Sequence, residues 1–129
     1  MATNQIKTGS YVNDKQILVA PEQALLIGVV VDNTGVSAND EGKMILAAGT
    51  PVGSATDVLL NRDTVLSQDT STCQGVLLHD VDVTDGEANA TLVVKGTVDY
   101  EKLNEDVQAL VDTASSVLTN ITFLSGSKI

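Results

Sequence analysis

Gly75 to Leu103 reads GVLLHDVDVTDGEANATLVVKGTVDYEKL, and this stretch decides the fold. Two apolar runs flank an acidic turn. Residues 75–83 form a first strand, Asp85, Gly86 and Glu87 the turn, and residues 90–100 a second strand. Asp-Gly between strands is a strong hairpin signal, because glycine enters the positive-φ region that tight hairpin turns require. Along the second run Leu92, Val94, Val98 and Tyr100 fall on one face, and Thr91, Val93, Lys95, Thr97 and Asp99 on the other. Gly96 interrupts the first of these faces and marks a bulge or a close backbone approach.

After Asp99 the period changes. Leu103, Val107, Leu110, Val111, Ala114, Val117 and Leu118 make one continuous helical stripe, which predicts an amphipathic helix over about residues 102–119. Glu101, Glu105 and Asp106 suit the positive end of its dipole, and Asn104 or Asp99 can cap it. Asn120 ends the helix, and residues 121–124, ITFL, return as a terminal strand.

Upstream, residues 17–20 read as a short strand stopped by Pro21, which has no N–H for a ladder. Residues 24–31 are a second apolar run, closed by the turn formers Asp32, Asn33, Thr34 and Gly35. Residues 44–48 follow another turn, and residues 49–53, GTPVG, read as a tight bend. Residues 57–72 are polar with embedded aliphatics, an irregular excursion holding one short strand. Residues 1–16 are small and polar with isolated apolar residues, and they read as a flexible N-terminal arm. The fold class is therefore mainly β with one C-terminal amphipathic helix (α+β). It is a compact barrel- or tulip-like domain over residues 17–129, preceded by the arm.

A chain of 129 residues is one domain by length and long enough to bury a core without staples. That core is aliphatic, since Tyr11, Tyr100 and Phe123 are the only aromatics. Cys73 has no partner for an intrachain disulfide and reads as a small buried hydrophobe. A net charge of −10, with Arg62 and six scattered lysines, offers no phosphate-binding patch, so nucleic acid is not an expected partner. The start MATNQIKTGS lacks a secretory pattern, and residues 17–31 are too short and too broken to span a bilayer, so no membrane is expected either.

No catalytic set is legible. His79 is the single histidine, and its neighbour Asp80 points to the opposite face of a strand, so the two form no dyad. Counted as a calcium loop from Asp80, the sixth position is Asp85 where glycine is needed, and the twelfth is Thr91 where glutamate is needed. Glycines never fall in a phosphate-cradling pattern. We expect no enzyme, no cofactor and no metal.

The order of these motifs resembles the head decoration (capsid-stabilising) proteins of tailed bacteriophages, lambda-type and their relatives in Gram-positive phages. The resemblance rests on the GTPVG bend, then Gly75, Leu77, Asp80, Val81 and Asp82 in one strand. Gly96 and Val98 follow in the next, and Ile121 and Phe123 in the last, across roughly residues 42–126. It implies that Gly75, Leu77, Asp80, Asp82, Gly96, Val98 and Phe123 are structural. It also implies a virion protein, made in the host bacterial cytoplasm, that binds the major capsid protein on the exterior of the expanded shell. The expected assembly is a homotrimer at threefold and quasi-threefold positions. In such proteins an N-terminal arm pairs with a capsid strand, which points to Ile6, Tyr11, Val12 and Ile17 as the capsid-binding residues. The alternatives are another virion component, such as a head-fibre base or a tail protein, and a small-ligand-binding domain.

Overall fold

The computed structural model describes residues 16–125. Nine strands and one helix follow in the order β1 (Leu18–Val19), β2 (Leu25–Val31), β3 (Ile45–Leu46), β4 (Pro51–Gly53), β5 (Val65–Gln68), β6 (Cys73–Leu77), β7 (Val81–Asp82), β8 (Ala88–Asp99), α1 (Glu105–Ala114) and β9 (Ile121–Leu124). Five of the strands close a ring: β8 pairs with β2, β2 with β5, β5 with β4, β4 with β6, and β6 returns to β8. All joins are antiparallel except β2–β5, a short parallel seam of Val30 and Val31 against Val65 and Leu66. Closure removes most free edges from a small sheet. The expected barrel is present.

β8 is the wall between two cores. Leu77 and Leu92 face each other inside the barrel, together with Val29, Val31, Val52, Val58, Leu66 and Val94. Their chain neighbours Val76 and Val93 point the other way, into a second cluster under α1 that holds Ile17, Leu18, Val98, Leu103, Val107, Val111, Ala114, Leu118 and Ile121. Neighbouring strand residues serve opposite layers because side chains alternate across a strand. Each fully buried aliphatic contributes about 1.5–3 kcal/mol, so the two layers together carry the stability without aromatic anchors.

The alternation expected along β8 fails at its middle. Leu25 lies opposite Lys95 and Leu26 opposite Val93, which leaves Val94 without a counterpart and makes a bulge on β8. The extra residue reverses the side-chain parity, so Val98 joins Val93 under the helix instead of sharing a face with Leu92 and Val94. Gly96 follows at φ 151°, and a Cβ there would lie 3.2 Å from the Ala24 Cβ, so the close backbone approach is real. Beyond the bulge β8 leaves the barrel and is flanked by β1, antiparallel, and β9, parallel.

Four further expectations are corrected. The strand over residues 75–83 breaks after Leu77, and β7 pairs with β3 in a separate ribbon. The GTPVG bend is confined to Gly49 (φ 91°) and Thr50, while Pro51–Gly53 is a barrel strand between β5 and β6. Proline is tolerated there because it is the strand's first residue. The helix is shorter than its apolar stripe. A 3-10 turn, Tyr100–Lys102, precedes α1, and after Ala114 a single further turn carries Leu118 into the core, its N–H bonded to the Ala114 carbonyl at 3.0 Å. Both proposed caps are used: Asp99 accepts from the Glu101 N–H, and Asn104 from the Val107 N–H. Finally Ile17, expected on the capsid-binding arm, is fully buried under the helix, and its carbonyl accepts from the Asp99 N–H at 2.7 Å. The packed domain has already begun at that residue.

Candidate functional site

Part of the motif, Gly49, Thr50, Leu77 and Asp80, meets at one junction. Gly49 donates its N–H to the Leu77 carbonyl at 2.7 Å, and Leu77 donates to the Thr50 carbonyl at 3.1 Å. The Asp80 carboxylate accepts the Ala48 N–H at 2.8 Å, so the break after β6 is pinned to the bend before β4. Gly75 is packed so tightly that a Cβ would stand 2.4 Å from the Val93 carbonyl oxygen. Asp82 accepts from the Thr84 hydroxyl (2.6 Å) and N–H (2.9 Å), and the same hydroxyl accepts the Met44 N–H at 2.9 Å, which stitches the β3–β7 ribbon. Those Thr84 bonds, with Lys43 nearby, hold the Asp82 carboxyl below its ordinary range. Val98 is buried and Phe123 half-buried against the helix-side core.

These groups leave little for chemistry. Among the described residues no cluster of three or more His, Cys, Asp or Glu side chains could hold a metal ion. His79 is exposed on the connection between β6 and β7, and Asp80 beside it is committed to Ala48. Cys73 is buried at the start of β6, and desolvation pushes its thiol up, which favours the unreactive protonated form. The Tyr100 hydroxyl donates to Asp112 at 2.8 Å, and that bond raises its pKa. An open cleft of about 370 Å³ is lined by Cys73, Gln74, Leu59, Val94 and Val117. The Gln74 amide in it is fully used: it donates to the Ser54 and Thr56 carbonyls and accepts the Val58 N–H. Among the described residues no helix is long and apolar enough to cross a membrane.

The surface that remains is an incomplete strand edge. β5 covers only Val30 and Val31 of β2, and the Arg62 guanidinium reaches across to the Gly28 carbonyl at 2.9 Å. Leu25 (49% exposed), Leu26 (39%) and Leu60 (82%) are among the large exposed apolar side chains. Nothing in the periodicity of the LLIGVVV run signalled this edge, because apolar residues on both faces read as a fully covered strand. Arg62, as the single arginine, was the one available hint. Of the expected capsid-binding residues, Ile6, Tyr11 and Val12 lie outside the described residues, and Ile17 belongs to the core.

Neither a scan against protein-family models nor a search of curated proteins finds a match to this chain.

Proposed function

We propose that this chain is a structural virion protein that coats the outer surface of an expanded phage capsid, as trimers at threefold and quasi-threefold positions, and stabilises it. The observation that carries this reading is the junction of residues 48–50 with Leu77 and Asp80. Some of the residues that resemble decoration proteins, Gly49, Thr50, Leu77 and Asp80, tie β6 to the bend before β4, so the resemblance includes determinants of the fold. The polar groups described are spent on architecture, which suits a coat better than a catalyst. The acidic surface keeps such a protein soluble at high copy number.

The N-terminal segment supplies the anchor in this reading. Ordering about 15 residues costs on the order of 15–30 kcal/mol of backbone entropy, against about 1 kcal/mol returned by each main-chain hydrogen bond. One arm therefore binds weakly. Three arms held on one trimer gain roughly 10²–10⁴ in avidity, and binding to the expanded lattice alone stabilises that lattice by mass action. The test is co-sedimentation of the purified protein with expanded and unexpanded heads. Binding to expanded heads only, at a copy number that matches the threefold positions, supports decoration. Binding to neither form discards the capsid reading and favours a tail or fibre component.

A further inference from the structure

Two strand edges lack a partner strand among the described residues, and their backbone groups can be assigned one by one. On β2, Asp32 donates its N–H to the Leu66 carbonyl of β5, and the Gly28 carbonyl accepts from Arg62. By alternation the backbone groups of Leu26 and Gly28 point away from β8, and β5 reaches only Val30 and Val31. On β9, which pairs with β8 alone, the Asn120 carbonyl accepts the Gly96 N–H. Thr122 therefore turns its backbone groups toward β8, and Ile121 and Phe123 turn theirs outward. One outward group on each edge is already taken. Arg62 holds the Gly28 carbonyl at 2.9 Å, and the Leu118 carbonyl holds the Ile121 N–H at 3.2 Å.

We propose that β9 of one copy of this chain pairs antiparallel with the β2 edge of a second copy, with Phe123 opposite Leu26 and Ile121 opposite Gly28. In this register Phe123 and Leu26 exchange both of their backbone hydrogen bonds, and the Gly28 N–H meets the Ile121 carbonyl. The two groups already taken fall opposite each other, so neither Arg62 nor Leu118 has to release its bond. Leu124 then lies opposite Leu25, and these two exposed side chains cover one another. Charge favours a second copy over an unrelated strand. Lys95 lies opposite Leu25 at the β2 edge, and Glu101 accepts from Ser125, next to Leu124, at the β9 edge. Opposite charges thus meet at one end of the join. At the other end the open cleft lined by Ile121 and Asp57 lies where the second copy's Arg62 arrives. These local pairs offset the general repulsion between chains of net charge −10.

The contact is heterologous, so copies join head to tail, in a ring where the rotation closes. The pairing rests on the capsid reading only for a count of three, and its test needs no capsid. That test is sedimentation velocity of the full chain across a concentration range, with Leu25→Glu, Leu124→Lys and the double variant. We expect the wild type to associate and each single variant to associate about tenfold more weakly. Leu25→Glu sets a carboxylate beside the second copy's Glu101, and Leu124→Lys sets an ammonium beside its Lys95. The double variant should recover, because its two new charges lie opposite each other across the join. Both replaced side chains are exposed, and thermal unfolding reports whether the variants keep the fold. A wild type that stays monomeric up to about 1 mM would overturn the proposal. So would single variants that associate as the wild type does, weakening by only one of the two substitutions, or a double variant no better than the singles. Co-sedimentation with heads is a separate readout, so a failure to bind capsids leaves the pairing standing.

Discussion

The Asp80 carboxylate accepts the Ala48 N–H at 2.8 Å and so ties together two loops 32 residues apart in the chain. The bond sits beside the paired Gly49–Leu77 and Leu77–Thr50 backbone bonds, and its loss frees an amide at the rim of the core. Asp80→Ala is expected to cost about 1–2 kcal/mol, as for a hydrogen bond to a charged acceptor, whereas His79→Ala next to it stays within about 0.5 kcal/mol. Urea denaturation of the two variants checks this. Equal stabilities would mean that Asp80 is only a surface residue.

Gly75 and Gly28 sit on barrel strands, but their surroundings differ. A Cβ on Gly75 meets the Val93 carbonyl oxygen at 2.4 Å and the Leu92 Cγ at 2.9 Å, both fixed in the shared wall. A Cβ on Gly28 meets nothing within 4 Å. Gly75→Ala is expected to destabilise by about 3 kcal/mol, since β6 and β8 must separate to admit it. Gly28→Ala should be neutral or stabilising by a few tenths of a kcal/mol, because it reduces the freedom of the unfolded chain. Thermal unfolding of both variants separates the two environments.

Stability should fall in acid through Asp69. Its carboxylate accepts from the Thr72 hydroxyl and N–H and from the Ser71 N–H and hydroxyl, and these bonds, Thr72 first, lower its pKa from 3.8 to about 2. Between those two values the unfolded chain holds the proton and the folded chain does not. The contribution is therefore complete above the higher pKa and is lost as pH drops toward the lower one. Because the loop is solvated, the effect is about 1 kcal/mol, less than the shift alone implies. Chemical denaturation of wild type and Asp69→Asn across this range should give a difference that is full near neutrality and vanishes near pH 2. A constant difference would place the effect elsewhere.

The parts of the fold that could be read in the sequence are those where one period persists. The helix, its cap Asn104 and the final strand follow from a stripe and from flanking polar residues, while Asp99 caps the 3-10 turn before the helix. The antiparallel pairing of the two apolar runs was legible as well, although not the register that sets Val76 opposite Val93 and Leu77 opposite Leu92. What failed did so for identifiable reasons. A bulge at Val94 reverses parity without changing composition, so Val98 was assigned to the wrong layer. Pro51 and two glycines concealed a strand, because β4 is held by its neighbours and not by its own propensity. The open edge of β2 is a property of how far β5 extends, which no local pattern records. Asp80 was legible only as a motif residue, with its partner 32 positions away.

The boundary between arm and domain yields the last prediction. Ile17 is fully buried and bonded through its carbonyl to β8, so a truncation must stop before it. Deleting residues 2–15 leaves every core residue among the described residues in place, and the remaining chain should keep its cooperative unfolding within about 1 kcal/mol. Ile17→Ala in the full chain should instead cost about 3 kcal/mol, from lost burial and the cavity left under α1. Capsid co-sedimentation then divides the two roles. The truncated protein should stay folded and lose binding, while Ile17→Ala should bind normally at temperatures where it remains folded. If the truncated protein binds expanded heads as well as the full chain, the anchor lies on the barrel itself. The exposed Leu25 and Leu26 would then be the next residues to replace.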